Sequence, residues 1–283
     1  MATIAVYGAG LLGSGFVENL LAKGERVVVW NRTPAKLAAL VAKGAVAAAD
    51  AAEAARGADR VHLVLTADDA VDATLAALRP GLGEGVPVLD HSTNLPARVA
   101  ERARRLRAEG VRYLHAPVFM SPQNAREASG ILLVAGPTAE VEALTPALAT
   151  MTGRVWHVGE RADLAAVHKL AGNGVLIALA GTMGDLFAIG AAQGLGPAEV
   201  LSLFDVFKPG NALPFIGQRV ASAGDKPASF ELTMARKDIA LMIETAGGPD
   251  RLSVLPGVAA SMDRALAAGL GDQDFAIFAR PRG

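Results

Sequence analysis

A chain of 283 residues holds one large or two ordinary domains, and 52% hydrophobic against 19% charged residues supplies ample core. A net charge of −1 argues against nucleic acid or an acidic surface as partner. The absence of cysteine excludes disulfide and thiol chemistry and fits a reducing cytoplasm.

The chain opens on an apolar strand from Thr3, carried by Ile4 and Val6, and no signal peptide is expected. Gly8, Gly10 and Gly13 follow at once as G-x-G-x-x-G, with Leu11 and Leu12 inside the turn. Leu11 to Ala22 has a helical pattern that Gly24 ends, and Val27 to Trp30 is a second strand. In this strand–turn–helix–strand setting the glycines read as a dinucleotide cradle. Gly8 permits the turn, Gly10 leaves room for pyrophosphate, and Gly13 allows close packing. The helix N-terminus then faces phosphate with free N–H groups. Past the second strand comes Asn31-Arg32-Thr33, with no carboxylate to hold a ribose 2′-hydroxyl. A guanidinium and a hydroxyl there suit a 2′-phosphate, so NADP(H) is the expected cofactor.

Pro34 to Lys43 reads as helix, Ala45 to Ala48 as strand, and Asp50 to Arg56 as helix. Val61 to Leu65 is a buried strand in which His62 reads as a core or strand-end residue. Leu65 and Thr66 sit at its carboxyl end, where open α/β sheets bind ligands. Ala70 to Leu78 is helix, and Val86 to Leu89 is a strand delivering His91, Ser92, Thr93 and Asn94. Those hydroxyls and the amide can orient a nicotinamide or a substrate. Turn or capping chemistry is the other reading, and the favoured one for Ser92. Arg98 to Glu109 is helix, and its basic run (Arg98, Arg102, Arg104, Arg105, Arg107) reads as the wet face. Val111 to His115 is a strand delivering Ala116-Pro117 and then Val118, Phe119 and Met120 as candidate substrate contacts. Gly130 to Ala135 is strand, Glu140 to Thr150 helix, and Arg154 to Val158 the last strand. The alternation predicts an α/β, doubly wound sheet.

From Ala162 the character changes. Ala162 to Gln193 reads as one long helix, apolar nearly all round, to be buried against a second domain or a second subunit. Asn173, Asp185 and five glycines between Leu170 and Ala192 argue against a membrane span. The remainder is helical with short turns. The boundary falls at about residue 162, giving a cofactor domain over 1–162 and an all-helical domain over 163–283 that begins with the long helix.

Lys169 and Asn173 lie four apart on that helix and share a face. A lysine in an apolar helix is costly unless paired or functional, and burial lowers its pKa toward the range of proton transfer. Reduction of a carbonyl needs hydride at carbon and a proton at oxygen. Lys169 can give the proton and Asn173 can hold the oxygen. The alternative is a surface lysine beside a tolerated asparagine. Lys237, in the helix from Phe230, reads by itself as a solvated charge.

Taken together, these stretches resemble the β-hydroxyacid dehydrogenases, such as 3-hydroxyisobutyrate dehydrogenase and the semialdehyde reductases, within the 6-phosphogluconate dehydrogenase superfamily. The resemblance runs over essentially the whole chain. It is carried by Gly8-x-Gly10-x-x-Gly13, Trp30-Asn-Arg-Thr33, Leu65-Thr-Ala-Asp-Asp, Asp90-His-Ser-Thr-Asn-Leu-Pro96, Ala116-Pro-Val118, Lys169-Leu-x-x-Asn173 and Lys237-Asp238. It implies a Rossmann domain, an all-helical domain, and a homodimer or homotetramer. It further implies Lys169 as acid/base, Asn173 as a substrate ligand, Thr93 beside the nicotinamide, and Lys237 beside cofactor and substrate. The family usually reads Asp-Ala-Pro-Val-Ser-Gly-Gly where this chain has His115-Ala-Pro-Val-Phe119-Met120-Ser121, so bulk and apolar surface replace a carboxylate-gripping turn. An NADP(H)-dependent oxidoreductase acting on a small hydroxy acid, semialdehyde or keto compound is the expectation. An imine reductase on the same scaffold and a non-catalytic NADPH-binding module are the alternatives. The first of these commonly has Asp or Tyr at the Lys169 position.

Overall fold

Alternate side chains of the first strand feed two cores. Ile4 and Val6 pack into one and Ala5 and Tyr7 into the other, all at most 1% exposed. A strand buried on both faces belongs in the middle of a sheet covered by helices on each side. A computed structural model, describing residues 1–281, shows that arrangement; residues 282 and 283 of the expected second domain lie outside the described residues. The strands are β1 (Thr3–Tyr7), β2 (Arg26–Trp30), β3 (Val46–Ala47), β4 (Arg60–Leu63), β5 (Val88–Asp90), β6 (Tyr113–His115), β7 (Val118–Phe119), β8 (Ile131–Ala135) and β9 (Arg154–Gly159). They form one sheet in the order β3-β2-β1-β4-β5-β6-β8-β7, with β9 beside β8. The strands from β3 to β6 along this order are parallel, β8 runs antiparallel to β6 and β7, and β9 is parallel to β8.

The helices are α1 (Leu11–Ala22), α2 (Ala38–Val41), α3 (Ala51–Ala55), α4 (Asp68–Leu78), α5 (Pro96–Ala108), α6 (Pro122–Glu127), α7 (Thr138–Leu148) and α8 (Leu164–Ala192). The chain leaves β1 toward β2 on one side and returns to β4 on the other. The carboxyl ends of β1 and β4 therefore part at a switch point, where such sheets open a crevice.

Two elements are new against the sequence pattern. β7 is only two residues long, and α6 is a six-residue helix. Ser121 begins α6 with a reciprocal cap, its hydroxyl accepting from the Asn124 N–H while the Asn124 side chain takes the Ser121 N–H. One expectation is corrected. Arg102 is not on a wet face; it is 2% exposed, and α5 turns it inward with Val99 and Leu106. The spacing i, i+3, i+7 puts those three on one face. Burial is met by Asp68 at 2.8 Å and Asp72 at 2.6 Å, which lie on α4.

Contacts divide the chain into two compact units, Met1–Asn173 and Gly174–Gly283. α8 starts at Leu164 and the division falls inside it, where the sequence pattern sets a boundary near residue 162. The second unit contains α9 (Pro197–Leu201), α10 (Leu203–Val206), α11 (Leu213–Ala221), α12 (Leu232–Thr245) and α13 (Leu255–Ala267), and its described residues form no strand beyond one isolated bridge. Leu232, Ala235 and Ile239 of α12 pack on Ala259, Met262 and Ala265 of α13. Asp185, 1% exposed, accepts from the N–H groups of Val254 and Leu255 at 2.9 and 2.8 Å and so caps α13. Burial pushes its carboxyl pKa up, but the backbone hydrogen bonds outweigh that and hold it below the usual range.

The expected burial of α8 is not met by the chain itself. Val175, Leu176, Ile177 and Leu179 are exposed, Ile177 by 72%. A helix of 29 residues runs about 43 Å, longer than the short helices that follow it.

Candidate active site

The crevice is built from the glycine turn outward. Gly8 has φ +106°, and a Cβ there would lie 2.2 Å from the Val64 carbonyl oxygen, so no other residue fits. A Cβ on Gly13 would sit 2.0 Å from the Gly8 oxygen, so the turn closes only over a bare α-carbon. Gly10 differs, for nothing lies within 4 Å of where its Cβ would be. That open approach is what a pyrophosphate needs. α1 begins directly after Gly10 with no side-chain cap and no acidic residue in its first turn, which leaves its N–H groups and positive dipole end available to an anion. Asn31 pins the turn, accepting from the Ala9 N–H at 3.1 Å and donating to the Thr33 oxygen at 2.8 Å. A cavity of about 250 Å³ opens here, lined among others by Gly8, Gly10, Arg32, Thr33, Leu65 and Thr66. Lys36 lines it too, adding a second cation beside Arg32. The residues present fit a dinucleotide. Leu11 is 78% exposed and Leu12 packs against the core.

The loops past β4, β5 and β6 are tied together below the crevice. Ser92 accepts from the Leu65 N–H at 3.0 Å. Asp90, fully buried, accepts from the Ser92 N–H at 3.0 Å, from the Asn94 amide at 2.8 Å and from the Tyr113 hydroxyl at 2.7 Å. This carboxylate organises the 91–95 turn and separates its two candidate residues. Thr93 is exposed at the tip, whereas Asn94 points inward, 3% exposed, with its Oδ1 unpartnered.

A second buried chain runs beside it. The Arg60 Nε–H donates to His62 Nε2 at 3.0 Å, His62 Nδ1 lies 2.8 Å from His91 Nε2, and His91 Nδ1 lies 2.6 Å from the Ala116 oxygen. Arginine only donates, so His62 Nε2 accepts and its Nδ1 carries the proton. His91 Nε2 then accepts, and its Nδ1–H donates to Ala116. Burial pushes the His62 pKa well down, helped by His91 and Arg60, and pushes His91 down to about 4. Both rings are neutral near pH 7 and lie edge to edge, nearly coplanar, with 9° between their planes and centroids 5.1 Å apart. His115 is also buried and lowered by burial, and its Nε2 bonds the Ser92 oxygen at 3.0 Å.

The Ala116 segment leads into β7, where Lys169 meets the sheet. Its ammonium donates to the Val118 oxygen at 2.7 Å and to Asn173 Oδ1 at 3.0 Å, and sits 4.6 Å from the Phe119 ring centre. Since Asn173 Oδ1 faces Lys169, its amide N–H groups face away and are free to donate. The Lys169 pKa is lowered by burial. Val118, Phe119, Lys169 and Asn173 therefore form one cluster. Met120 is half-buried beside it. Lys237 belongs to the other unit, exposed on α12 with Asp238 at 3.1 Å.

The chain matches the family described as the NAD binding domain of 6-phosphogluconate dehydrogenase over residues 3–159. An uncharacterized oxidoreductase of Bacillus subtilis is 28% identical over 278 residues, 96% of this chain and 97% of that one. A 3-hydroxyisobutyrate dehydrogenase of Pseudomonas aeruginosa is 29% identical over 257 residues, 87% of this chain and 86% of that one. Among solved structures, the imine reductase from Myxococcus stipitatus in complex with NADP+ has a TM-score of 0.85 at 25% identity, over 98% of this chain and 99% of that one. A variant of it in complex with NAD+ has a TM-score of 0.84 at 24% identity, over 99% of both chains.

Proposed function

The chain belongs to the family of the NAD binding domain of 6-phosphogluconate dehydrogenase and is a β-hydroxyacid dehydrogenase-like, NAD(P)-binding oxidoreductase; from that premise we propose an NADP(H)-dependent enzyme that moves hydride between the nicotinamide and a small hydroxy acid, semialdehyde or keto compound, with Lys169 as acid/base. The observation that carries this reading is the Lys169 ammonium, held between the Val118 oxygen and Asn173 and kept from full hydration. The bound cofactor supplies or accepts the hydride. In reduction, Lys169 donates its proton to the carbonyl oxygen as charge develops there, and in oxidation neutral Lys169 takes the hydroxyl proton. The free Asn173 amide hydrogens hold that oxygen. Gly10 and the start of α1 would hold the pyrophosphate and Thr93 would flank the nicotinamide, and Lys237 is the further residue that the family resemblance assigns to cofactor and substrate. NADPH oxidation measured with semialdehydes, cyclic imines and no substrate tests the reading. Turnover of imines alone would favour the imine reductase, and binding without any turnover would favour a non-catalytic module.

The choice of NADP(H) rests on Arg32 and Thr33 lining the cavity with Lys36 close by. Charge-assisted contacts to a 2′-phosphate favour NADPH over NADH by roughly 30- to 1000-fold. Fluorescence titration of both cofactors checks this, and Arg32→Ala is expected to lose most of the preference. An Arg32→Ala protein that keeps it would refute the assignment.

A homodimer or homotetramer is the assembly we propose, supported by the apolar residues that α8 leaves exposed, Val175, Leu176, Ile177 and Leu179. By length and composition α8 is apolar enough to cross a membrane, an 18-residue window of it having a mean hydropathy of 1.8. Its Asp185 is instead committed to capping α13, so a protein partner is the better match. Sedimentation at micromolar concentration is expected to show a dimer or larger; a monomer would contradict it. Neither membrane nor nucleic acid is a partner in this reading, and the compartment is the cytoplasm.

A further inference from the structure

We propose that Phe119 sets the substrate class, selecting carbonyl and hydroxyl compounds that carry a neutral, apolar group beside the reacting centre over those that carry a carboxylate there. This rests on the reading of Lys169 as acid/base. The Phe119 ring is fitted to α8: a Cβ on Gly172 would lie 2.3 Å from its Cζ. The same ring stands 4.6 Å from the Lys169 ammonium. It is therefore a fixed wall of the site, locked between Lys169 and Gly172, which a ligand meets as it stands.

Hydrogen-bond capacity along this wall is already assigned. An ammonium has three donors, and Lys169 directs two to Val118 and Asn173. The third goes to the reacting oxygen, leaving none for a second anionic group. Met120 adds a thioether. Ser121 is the next hydroxyl, and it is committed to α6. Its Oγ donates to Asn124 Oδ1 at 2.7 Å and accepts from the Asn124 N–H at 3.1 Å, while its own N–H donates to Asn124 Oδ1 at 2.8 Å. A substrate carboxylate set against Phe119 would lose water and find on this wall no hydroxyl and no cation beyond Lys169, whose donors are taken by Val118, Asn173 and the reacting oxygen, which is unfavourable. An ester, alkyl or ring substituent buries apolar area at the same place.

Acid and methyl ester of one skeleton separate charge from shape. Calorimetric titration of the NADPH-saturated protein with 3-hydroxyisobutyrate and with its methyl ester, a pairing of reduced cofactor and alcohol that cannot react, gives the two Kd values independent of turnover. NADPH oxidation with succinic semialdehyde and with its methyl ester gives the matching kcat/KM values. The ester is expected to bind about tenfold or more tightly than the acid. Phe119→Leu keeps that ratio, and Phe119→Ser narrows it at unchanged NADP+ affinity. An acid bound as tightly as its ester by the parent protein, an ester that does not bind, or a Phe119→Ser protein with the full preference overturns the proposal. The parent comparison decides even where Phe119→Ser fails to fold. Ester binding without turnover of any carbonyl removes the reductase reading and leaves the preference standing. Faster turnover of the acid removes the preference and leaves the reductase.

Discussion

Lys169→Ala is expected to lower kcat by about 10²–10⁴-fold while NADPH binds nearly as before. The ammonium is the one charged group in the cluster of Val118, Phe119 and Asn173, and burial already lowers its pKa. A lysine so placed gives up its proton more readily than one in water, which is what an acid acting near neutral pH requires. Lys169→Arg is the sharper variant. It keeps the charge and can still reach the Val118 oxygen, but a guanidinium holds its proton at any ordinary pH. It should therefore fold and bind cofactor yet stay as slow as the alanine variant. A purely structural lysine predicts the reverse, with Lys169→Arg near normal and Lys169→Ala unstable but active per folded molecule. Measuring kcat, NADPH Kd and the thermal midpoint on both decides it. An active Lys169→Arg would mean that the acid is another residue.

The second large effect is on stability in mild acid. His62 and His91 are buried neutral, and both folded pKa values lie below the ordinary 6.5 of an exposed imidazole. The unfolded chain therefore takes up protons first as pH falls. The stabilising effect of these groups is complete above about pH 6.5 and declines below it until the folded rings titrate, near 4 for His91. For His91 alone this amounts to about 2 kcal/mol lost at pH 5 and about 3 by pH 4. His62 and His115 act in the same direction. Paired carboxylates such as Asp72 and Asp185 have lowered pKa values and act further down the scale, so pH 5 isolates the histidines. Urea unfolding at pH 7 and pH 5 is expected to show that loss, and His91→Gln should be weaker at pH 7 yet less sensitive to the change. Equal stability of the parent at both values would contradict it.

Much of this architecture is legible in the chain because its signals are local. Gly8, Gly10 and Gly13 lie within six residues of one another, after one apolar run and before another, and the turn they form needs nothing distant to be recognised. Lys169 and Asn173 are likewise one helical turn apart. What stays hidden depends on partners brought together by the sheet. His62 and His91 meet only because β4 and β5 pair with His62 opposite Leu89. Phe119 reads as a candidate substrate contact that adds apolar bulk, but its packing against α8 is hidden until Gly172 is brought to it. Arg102 is an intermediate case. Its spacing from Val99 and Leu106 was available, but a charge in a basic run suggests solvent unless the aspartates of α4 are known to lie across from it. α8 shows the opposite limit: its apolarity is plain, and a single chain leaves much of it uncovered.

The buried histidine chain also has a bearing on proton traffic. Two imidazoles in a row, one end near the loop that meets Lys169, have the outline of a wire. Yet conduction along such a wire requires every link to reverse its donor and acceptor. Arg60 can only donate, so His62 Nε2 must stay an acceptor and every later proton position is fixed. Reversal would set an N–H against an N–H at Arg60 and a lone pair against the Ala116 oxygen. The chain is thus an insulator, and in the proposed reaction a proton given up by Lys169 is not replaced along it.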